Sequence, residues 1–454
     1  MKMVKRRSIW GLLIVLFLLS LTACQGNGGN ESGGNNAVSE ESSDGPVKLT
    51  MWVHIAEDTS EGKAYKKRAE AFNKANAGKI EVNVQFIARG GGGTGYEDKV
   101  NAALTTNSLP DVLTLDGPNT AAYADSGILL DLTDYVSEEA KNNFLDSALE
   151  QGTYNGRLYS LAIQESTVVI YYNKDMFVQA GLCKSVETCQ EDLGVTVDDP
   201  WTFDEFKKVA RKLRDYFNKP AIDLHLGSQD EWITYALAPF IWTSGGDLIG
   251  EDGLTADGYF NSEASKKGFE FIKSLVDEGL TTPTPEDKAF EMGIYPMSLS
   301  SAWTIPELKY SYAEKVPNWG VLPYPVGDTG VLHAPTGSWA FGVSKTTKHP
   351  KEAAQLAEWM TNTESTLMFT SVTGLLPATK SAYEQTDRFD QDPDKLLMEQ
   401  LMKAGHPRPK TVAYPELTFS FQQAIDRIVN GQPVDSTIDQ VTAQLEVKLK
   451  RHRQ

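Results

Sequence analysis

The chain has 454 residues and a formal net charge of −18, with 61 acidic side chains against 43 basic ones. This acidity argues against nucleic acid or an anionic lipid surface as the partner, because both attract basic patches. The three cysteines and six histidines form neither a Cys-x-x-Cys nor a His-x-x-x-His motif. The sequence therefore predicts no metal site.

The N-terminus has the pattern of a secretory signal peptide over residues 1–23. Basic residues precede an apolar run at 9–19, and small residues then lead to Cys24. Residues 21–24 (LTAC) resemble the bacterial lipobox, in which the signal is cut before a cysteine whose sulfur receives a diacylglyceryl group. The resemblance implies a mature protein that starts at Cys24 and is held by lipid at the outer face of the cell membrane. An ordinary signal peptide with a chance cysteine is the alternative.

A flexible tether is predicted at residues 24–46. This segment consists mainly of Gly, Asn, Ser and acidic residues, which bury too little apolar surface to fold. The body that follows has about 400 residues, more than one hydrophobic core usually serves, so two or three lobes are expected. No later segment is apolar for long enough to span a membrane.

Strands and helices alternate along the body. Apolar and alternating patterns predict strands at 49–54, 80–87 and 111–115, with helices between them. Capping signals predict further helices that begin near Thr202, Ser262 and Pro350. This order predicts an α/β protein with parallel sheets and helical crossovers.

Three local motifs have competing interpretations. Residues 90–95 (GGGGTG) match a dinucleotide-binding fingerprint, but a glycine run matches it almost automatically, and a loop at a cleft edge is favoured over a cofactor site. Tyr171 and Tyr172 resemble an iron-binding pair, although tyrosines in a strand more often belong to the core. Cys183 and Cys189 lie close together in an exported chain, which predicts a disulfide that stiffens a short loop.

Aromatic side chains beside acids and amides mark candidate ligand-binding positions. Most lie near the ends of predicted strands, where α/β sheets form ligand crevices. Tryptophan rings offer flat apolar faces to the C–H surface of a sugar, and carboxylates accept hydrogen bonds from its hydroxyls. Core packing is the alternative for each tryptophan. The candidates are Trp52, His54, Asp58, Asp116, Gln164, Glu165, Trp242, Asp247, Trp303 and Trp339.

A series of different motifs follows in order along nearly all of the mature chain. They are LTMWVH at 49–54, LPDVLTLDGPNTAAYADSGILLDL at 109–132, IYYNKDMF at 170–177, WTFDEF at 201–206, WGVLPYP at 319–325 and GSWAFGVSK at 337–345. Together they resemble the bacterial extracellular solute-binding proteins of carbohydrate ABC transporters, the family of maltose-binding protein. The chain departs from that pattern by an insertion at 183–200 and by Gln164, where a small residue is usual.

The resemblance implies a two-lobed periplasmic-binding-protein fold with a hinged cleft between the lobes. The first lobe would combine residues 47–156 with 320–362, and the second 157–319 with 363–454. By position, Trp52, His54, Asp58, Asp116 and Trp339 would line the first lobe's side. The opposite side would be lined by Gln164, Glu165, Trp242, Asp247, Trp303 and Tyr414.

The resemblance also implies a function. It predicts a monomeric substrate-binding lipoprotein, not an enzyme, that captures a sugar or oligosaccharide and delivers it to an ABC permease without any cofactor. A receptor for another solute, such as a polyamine, stays open because the acidic candidates would suit it. An exported glycosidase is a third possibility, with Glu165 and either Asp116 or Asp247 as its carboxylates, but the eight repeated units of a glycosidase barrel are not evident.

Overall fold

The computed structural model describes residues 45–89, 95–228 and 230–453. The predicted signal peptide, the predicted lipid site at Cys24 and the tether up to residue 44 therefore lie outside the described residues. Positions 90–94 of the glycine run lie outside them as well. In the part of the chain that is described, no helix combines the length and apolar character needed to cross a membrane.

Two mixed sheets organise the fold. In chain order the strands are β1 (Val47–Val53), β2 (Ile80–Phe86), β3 (Val112–Asp116), β4 (Thr153–Tyr154), β5 (Arg157–Leu158), β6 (Ser160–Ala162), β7 (Val168–Asn173), β8 (Ile222–Asp223), β9 (Met297–Ser301), β10 (Trp319–Leu322), β11 (Ala334–Thr336), β12 (Trp339–Val343) and β13 (Gly405–Pro407). The first sheet has the order β2-β1-β3-β12-β6, and the second has the order β10-β7-β9-β8. Two shorter pairs are β4 with β5 and β11 with β13.

The prediction of parallel sheets is correct only for part of each sheet. Strands β1, β2 and β3 are parallel, as are β8 and β9. In contrast, β12 is antiparallel to β3, and β7 is antiparallel to both β9 and β10. The register pairs Trp339, the first residue of β12, with Asp116, the last residue of β3. A strand that enters the sheet from the edge at which its neighbour ends must run in the opposite direction.

Helices cover both sheets. In chain order they are α1 (Ser60–Ala75), α2 (Gly95–Thr106), α3 (Thr120–Asp125), α4 (Glu138–Asn143), α5 (Asp146–Gln151), α6 (Lys174–Gln179), α7 (Cys189–Leu193), α8 (Phe203–Phe217), α9 (Trp232–Trp242), α10 (Glu263–Asp277), α11 (Thr304–Pro306), α12 (Pro350–Thr361), α13 (Thr363–Thr373), α14 (Lys380–Glu384), α15 (Asp394–Ala404), α16 (Tyr414–Val429) and α17 (Val434–Leu449). Short 3-10 or π turns occupy Gly117–Asn119, Glu307–Ser311, Arg388–Asp390 and Lys450–Arg453.

The predicted helix starts are confirmed where capping residues define them. The Thr202 hydroxyl accepts a hydrogen bond from the Glu205 backbone N–H at 3.3 Å, and the Glu205 carboxylate accepts one from the Thr202 N–H at 2.8 Å. The Ser262 hydroxyl caps α10 by accepting a hydrogen bond from the Ser265 N–H at 3.1 Å, and Pro350 occupies the first position of α12. Local side-chain chemistry therefore fixes these helix ends.

Successive residues of a strand in the first sheet point to opposite faces, and each face packs into a core of its own. On β1, Met51 and Val53 point into a core that α1, α12 and α13 cover. Trp52, between them, points to the opposite face and packs with residues of α2 and β3. The second sheet has one large core of its own, shared with α8, α9, α10, α16 and α17.

The chain passes between the sheets at points that differ from the predicted lobe boundaries. Ser160–Ala162 pairs with β12 of the first sheet, although the prediction assigned it to the second lobe. Trp319–Leu322 pairs with β7 of the second sheet, although its last three residues were assigned to the first lobe. Phe369 on α13 packs into the first sheet's core, again across the predicted boundary. By sheet and core membership, each crossing lies later along the chain than the corresponding predicted boundary.

A disulfide joins Cys183 to Cys189, as predicted, and holds the insertion against the second core. Both cysteines are buried, and so are Val195 and Val197 from the same insertion. The Tyr172 hydroxyl donates a hydrogen bond to the Gln190 side chain at 2.8 Å. The insertion is therefore partly a piece of the core and not only a surface decoration.

Candidate functional site

A cleft of about 720 Å³ lies where edges of the two sheets face each other. The first sheet contributes residues at the ends of β1 and β3 and at the start of β12. The other wall comes from the beginning of α9 and from the segment that follows β9. Residues of the first crossing and of the end of α13 form the base. The cleft is therefore built from several separate parts of the chain.

Arg408 links the two walls of the cleft. Its guanidinium donates two hydrogen bonds to the Asp116 carboxylate, at 2.8 and 3.0 Å, and one to Glu231 at 2.8 Å. Asp116 ends β3 in the first sheet, and Glu231 immediately precedes α9 on the second side. The Arg408 side chain is only 3% exposed. Burial opposes its charge, but the two carboxylates hold the pKa of Arg408 well above its usual value.

Hydrogen bonds to Glu231 extend this cluster into α16. The Tyr414 hydroxyl donates to one Glu231 oxygen, and the Thr418 hydroxyl donates to the other at 2.7 Å. The Arg408 guanidinium also lies over the ring of Tyr235, 4.8 Å from its centroid. The cluster is therefore a connected polar network in which a single cation serves two carboxylates.

Trp339 forms an aromatic stack on the first wall. The His54 ring lies parallel to it, with 3.3 Å between the ring centroids, and the Arg89 guanidinium lies over the same ring at 5.2 Å. His54 Nδ1 is within hydrogen-bonding distance of the Thr114 hydroxyl, at 3.1 Å. Burial, helped by the charge of Arg89, holds the pKa of His54 well below its usual value, so the imidazole is neutral.

Exposed rings face the cleft from the second wall. Trp303 lies two residues after the end of β9 and is 38% exposed, and Tyr310 lies seven residues further on and is 83% exposed. Trp232 meets Trp303 edge-on, with 5.9 Å between the ring centroids. Its indole N–H is used by the backbone, since it donates to the Leu224 carbonyl at 3.1 Å. Trp303 therefore presents a supported but accessible apolar surface.

Two carboxyl groups near the cleft have strongly raised pKa values. Burial raises the pKa of Glu61 to about 7 and that of Glu165 to about 7. Glu61 lines the cleft from the first turn of α1, whereas Glu165 points away from it and accepts a hydrogen bond from the Gly337 N–H at 2.9 Å. Beside Glu165, Ser166 donates to the Gly337 carbonyl at 2.6 Å and lines the base.

The family profile described as bacterial extracellular solute-binding protein matches residues 67–396. The chain belongs to this family. Membership places the protein outside the cytoplasm and confirms the family resemblance inferred from the ordered motifs. Among the residues that the structure describes, no group of three or more His, Cys, Asp or Glu side chains is arranged to hold a metal ion.

Relatives of this solute-binding protein extend over almost its whole length. The galactooligosaccharide-binding protein of Bacillus subtilis is 23% identical, and the alignment covers 99% of each chain. Two solved structures share the fold, each with a TM-score of 0.73. The cyclic alpha-maltosyl-1,6-maltose binding protein from Arthrobacter globiformis is 23% identical over 90% of this chain and 100% of that one. UgpB from Mycobacterium tuberculosis, in complex with glycerophosphocholine, is 21% identical over 91% and 100%. The predicted α/β periplasmic-binding-protein fold is confirmed.

Five of the predicted ligand-binding residues line the cleft of this solute-binding protein. They are His54, Asp116, Gln164, Trp303 and Trp339. Gln164 is buried at the base and accepts a hydrogen bond from the Thr373 hydroxyl at 3.0 Å. All five lie at or within two residues of an end of a strand in one of the two sheets, where the crevice was expected.

The other six predicted residues are placed elsewhere, and each has a structural partner or an exposed position that explains it. Trp52 is in the core with Lys99 Nζ 4.5 Å from its ring centroid, and Trp242 packs on the His406 ring with 4.2 Å between the centroids. Glu165 accepts a hydrogen bond from the Gly337 N–H, and Asp247 accepts one from the Leu248 N–H at 2.6 Å. The Tyr414 hydroxyl donates to Glu231, and Asp58 is exposed in a turn. The prediction that these six line the cleft is therefore corrected.

The cleft also contains residues that the sequence interpretation missed. They include Glu61, Arg89, Glu231, Trp232, Tyr310 and Arg408. Glu231 and Trp232 are an acid next to a tryptophan, so the same rule that selected the other candidates could have found them. Arg408 lies between two prolines in a polar segment, and nothing in that pattern distinguishes a buried arginine from a solvated one.

Proposed function

We propose that this protein is the substrate-binding lipoprotein of an ABC importer and that it captures a sugar or oligosaccharide in the cleft. The main support is the accessible ring of Trp303, which faces a cavity that also contains carboxylate and amide oxygens. Such a ring can cover the C–H face of a sugar while the oxygens accept hydrogen bonds from its hydroxyls. Two relatives are named for ligands of the same class, a galactooligosaccharide and a cyclic maltosyl-maltose.

Binding would be coupled to closure of two lobes about the crossing segments. The first lobe would comprise the first sheet with its helices, and the second lobe would comprise the second sheet with its own. Closure would bury the ligand between Trp303 on one side and Trp339 on the other, and the closed pair would present the surface that a permease recognises. In this proposal the receptor acts as a monomer and needs no cofactor.

A binding role without catalysis fits the positions of the carboxylates better than glycoside hydrolysis does. A glycosidase needs one carboxyl as acid and a second as nucleophile or base, both facing the sugar. Glu165 and Asp247 do not line the cleft, and Asp116 shares the Arg408 guanidinium with Glu231. The carboxyl pair suggested for hydrolysis is therefore not available to a ligand in this arrangement.

Anchoring by lipid supports the same role. The lipobox-like sequence before Cys24 and the Gly- and Ser-rich residues that follow would hold the receptor at the outer face of the membrane on a flexible tether. A receptor held in this manner stays concentrated near its permease.

Calorimetric titration of an oligosaccharide panel against three proteins tests the sugar proposal. The proteins are wild type, Trp303→Ala and Trp339→Ala. We expect Trp303→Ala to weaken sugar binding by about 1 kcal/mol or more without lowering the melting temperature of the unliganded protein, because its ring is partly exposed and lies outside the buried cores. Trp339→Ala should lower both the sugar affinity and the melting temperature of the unliganded protein, since its ring is stacked on His54. Unchanged sugar affinity in Trp303→Ala, or binding of a polyamine alone, would contradict the proposal.

A further inference from the structure

The charged side chains that line the cleft are predominantly acidic. The described lining residues include five carboxylates, Glu61, Asp116, Asp230, Glu231 and Glu307, against two cations, Arg89 and Arg408. Both cations have protein partners, because Arg89 is 3.0 Å from Glu97 and Arg408 serves two carboxylates. A ligand that carries negative charge would therefore find no uncommitted cation among these residues.

Most of the lining carboxylates are also satisfied by the protein. Glu307 is 2.9 Å from Lys288 Nζ, and Asp230 accepts hydrogen bonds from the Ser228 hydroxyl and the Trp232 N–H. Asp116 and Glu231 share the guanidinium of Arg408. These four groups are therefore already engaged before a ligand arrives.

Glu61 differs from the other four. Its side chain is only 18% exposed, and its Oε1 atom is buried without a hydrogen-bond partner among the described residues. The nearest basic group is His54, whose Nε2 lies 4.0 Å away and whose ring is kept neutral by burial and by Arg89. Burial raises the Glu61 pKa and the neighbouring Tyr65 hydroxyl lowers it, but the two side chains are not within hydrogen-bonding geometry of each other. Glu61 is thus a carboxyl group that faces the cavity and lacks a counter-charge.

We propose that Glu61 determines specificity for a sugar that carries a protonated amine, and that the ammonium pairs with this carboxylate. The inference rests on the proposed function and names the ligand class more closely. Closure of the lobes removes water from Glu61, so a neutral sugar would leave a buried charge or force the group to stay protonated. An ammonium group supplies the missing charge and up to three hydrogen-bond donors.

Matched pairs of ligands test this proposal directly. The purified protein is titrated calorimetrically with amino sugars of one to three rings and with their N-acetylated counterparts, which have the same rings and linkages without the charge. The variants are Glu61→Gln, Glu61→Asp and, as a control, Glu57→Gln. Glu57 lies in the turn before α1, and its exposed carboxylate is paired with Lys66. Melting of each unliganded variant is measured in parallel, and Glu61→Gln should melt at the wild-type temperature or above it.

The expected result has three parts. Amino sugars bind more tightly than their N-acetylated counterparts, Glu61→Gln weakens only amine binding by about tenfold or more, and Glu57→Gln has no effect. Near pH 7, binding also releases a proton, because the ammonium favours ionised Glu61; the measured heat then depends on the ionisation enthalpy of the buffer. Partial recovery of affinity in Glu61→Asp would support the pairing.

Other outcomes separate the two proposals. If neutral sugars bind as tightly as amino sugars, or if Glu61→Gln weakens both equally, the amine inference is overturned while the sugar receptor stands. Spermidine is titrated in the same way. If it binds through Glu61 and no sugar binds, Glu61 does pair with an ammonium group, but the amino-sugar ligand and the proposed sugar-receptor function are both wrong. Binding of neither sugars nor amines overturns both proposals.

Discussion

Glu165 illustrates how a single buried carboxyl can couple the cleft region to pH. It lies in the segment that crosses from the first sheet to the second, where its backbone exchanges two hydrogen bonds with Leu376 and its side chain accepts one from Gly337. Burial raises the pKa of Glu165 to about 7, although the Gly337 N–H acts in the opposite direction. Between about pH 4.5 and pH 7 the folded protein therefore keeps a proton that the unfolded chain releases.

The sign of the resulting pH dependence follows from that difference. Since the native state binds the extra proton, the Glu165 contribution makes the free energy of unfolding fall as pH rises from about 4.5 to about 7, by a few kcal/mol. Glu165→Gln should remove this component. Urea unfolding at pH 5 and pH 8 measures it, with exposed Glu139→Gln as the control. An equal loss of stability between the two pH values in wild type and Glu165→Gln would contradict the assignment.

At this scale the sequence predicts some site residues and cannot predict others. His54, Asp116 and Trp339 were found because they lie at strand ends, where side chains of an α/β sheet meet a crevice. Trp52 was misplaced because neighbouring strand residues point to opposite faces, and the choice of face depends on packing. Arg408 was missed because its carboxylate partners, Asp116 and Glu231, lie 292 and 177 residues away in the chain.

At the level of strands and helices, the Arg408 side chain forms hydrogen bonds that join the end of β3 to the start of α9. Strand β13 pairs with β11, and Arg408 follows it directly, so its guanidinium reaches Asp116 on one side and Glu231 on the other. The two buried carboxylates are compensated only while the Arg408 cation is present. This cluster therefore fixes the relative position of the two walls in the described arrangement.

Arg408→Met should be strongly destabilising, by about 3–5 kcal/mol, because it leaves two buried carboxylates without their counter-charge. The free energy of unfolding in urea measures the effect. The matched control is Arg451→Met, which removes an exposed guanidinium from the C-terminal turn. Adding Asp116→Asn and Glu231→Gln to Arg408→Met should restore part of the loss. A loss no larger than that of the control would show that the cluster contributes little to stability.

Secondary structure could be predicted wherever its signals are local. Thr202, Ser262 and Pro350 identify helix starts because their side chains bond or constrain the adjacent backbone. The directions of β7 and β12 could not be predicted in this manner, because they depend on where the chain re-enters each sheet after a crossing. The same non-local information explains why the crossings lie later than the predicted lobe boundaries.

The whole molecule, as proposed, is a hinged receptor on a flexible tether. The family profile places this solute-binding protein outside the cytoplasm, and the lipobox-like sequence suggests the proposed lipid anchor. With a net charge of −18, the protein is unsuited to bind nucleic acid without specific basic patches. Capture and delivery then depend on the cleft and on its distance from the membrane.

Lipid anchoring predicts a change of location on mutation of Cys24. Cys24→Ala removes the sulfur that would carry the diacylglyceryl group, so the exported protein should appear in the medium or in the soluble fraction outside the cell. Fractionation with detection of the protein in membrane and soluble fractions measures this. A Ser20→Ala variant, which leaves residues 21–24 unchanged, serves as the control. Membrane retention of Cys24→Ala would contradict the lipid anchor and leave the cleft proposals unaffected.

Native mass spectrometry of the protein in a mixed ligand pool shows whether the cleft binds a saccharide. The pool contains equimolar neutral oligosaccharides, amino sugars, polyamines, short peptides and glycerophosphodiesters. A one-to-one complex whose added mass is that of a saccharide is expected, and the fraction of protein in that complex should be smaller for Trp303→Ala. A complex with only a polyamine, a peptide or a glycerophosphodiester, or no complex with any saccharide, would contradict saccharide binding in the cleft.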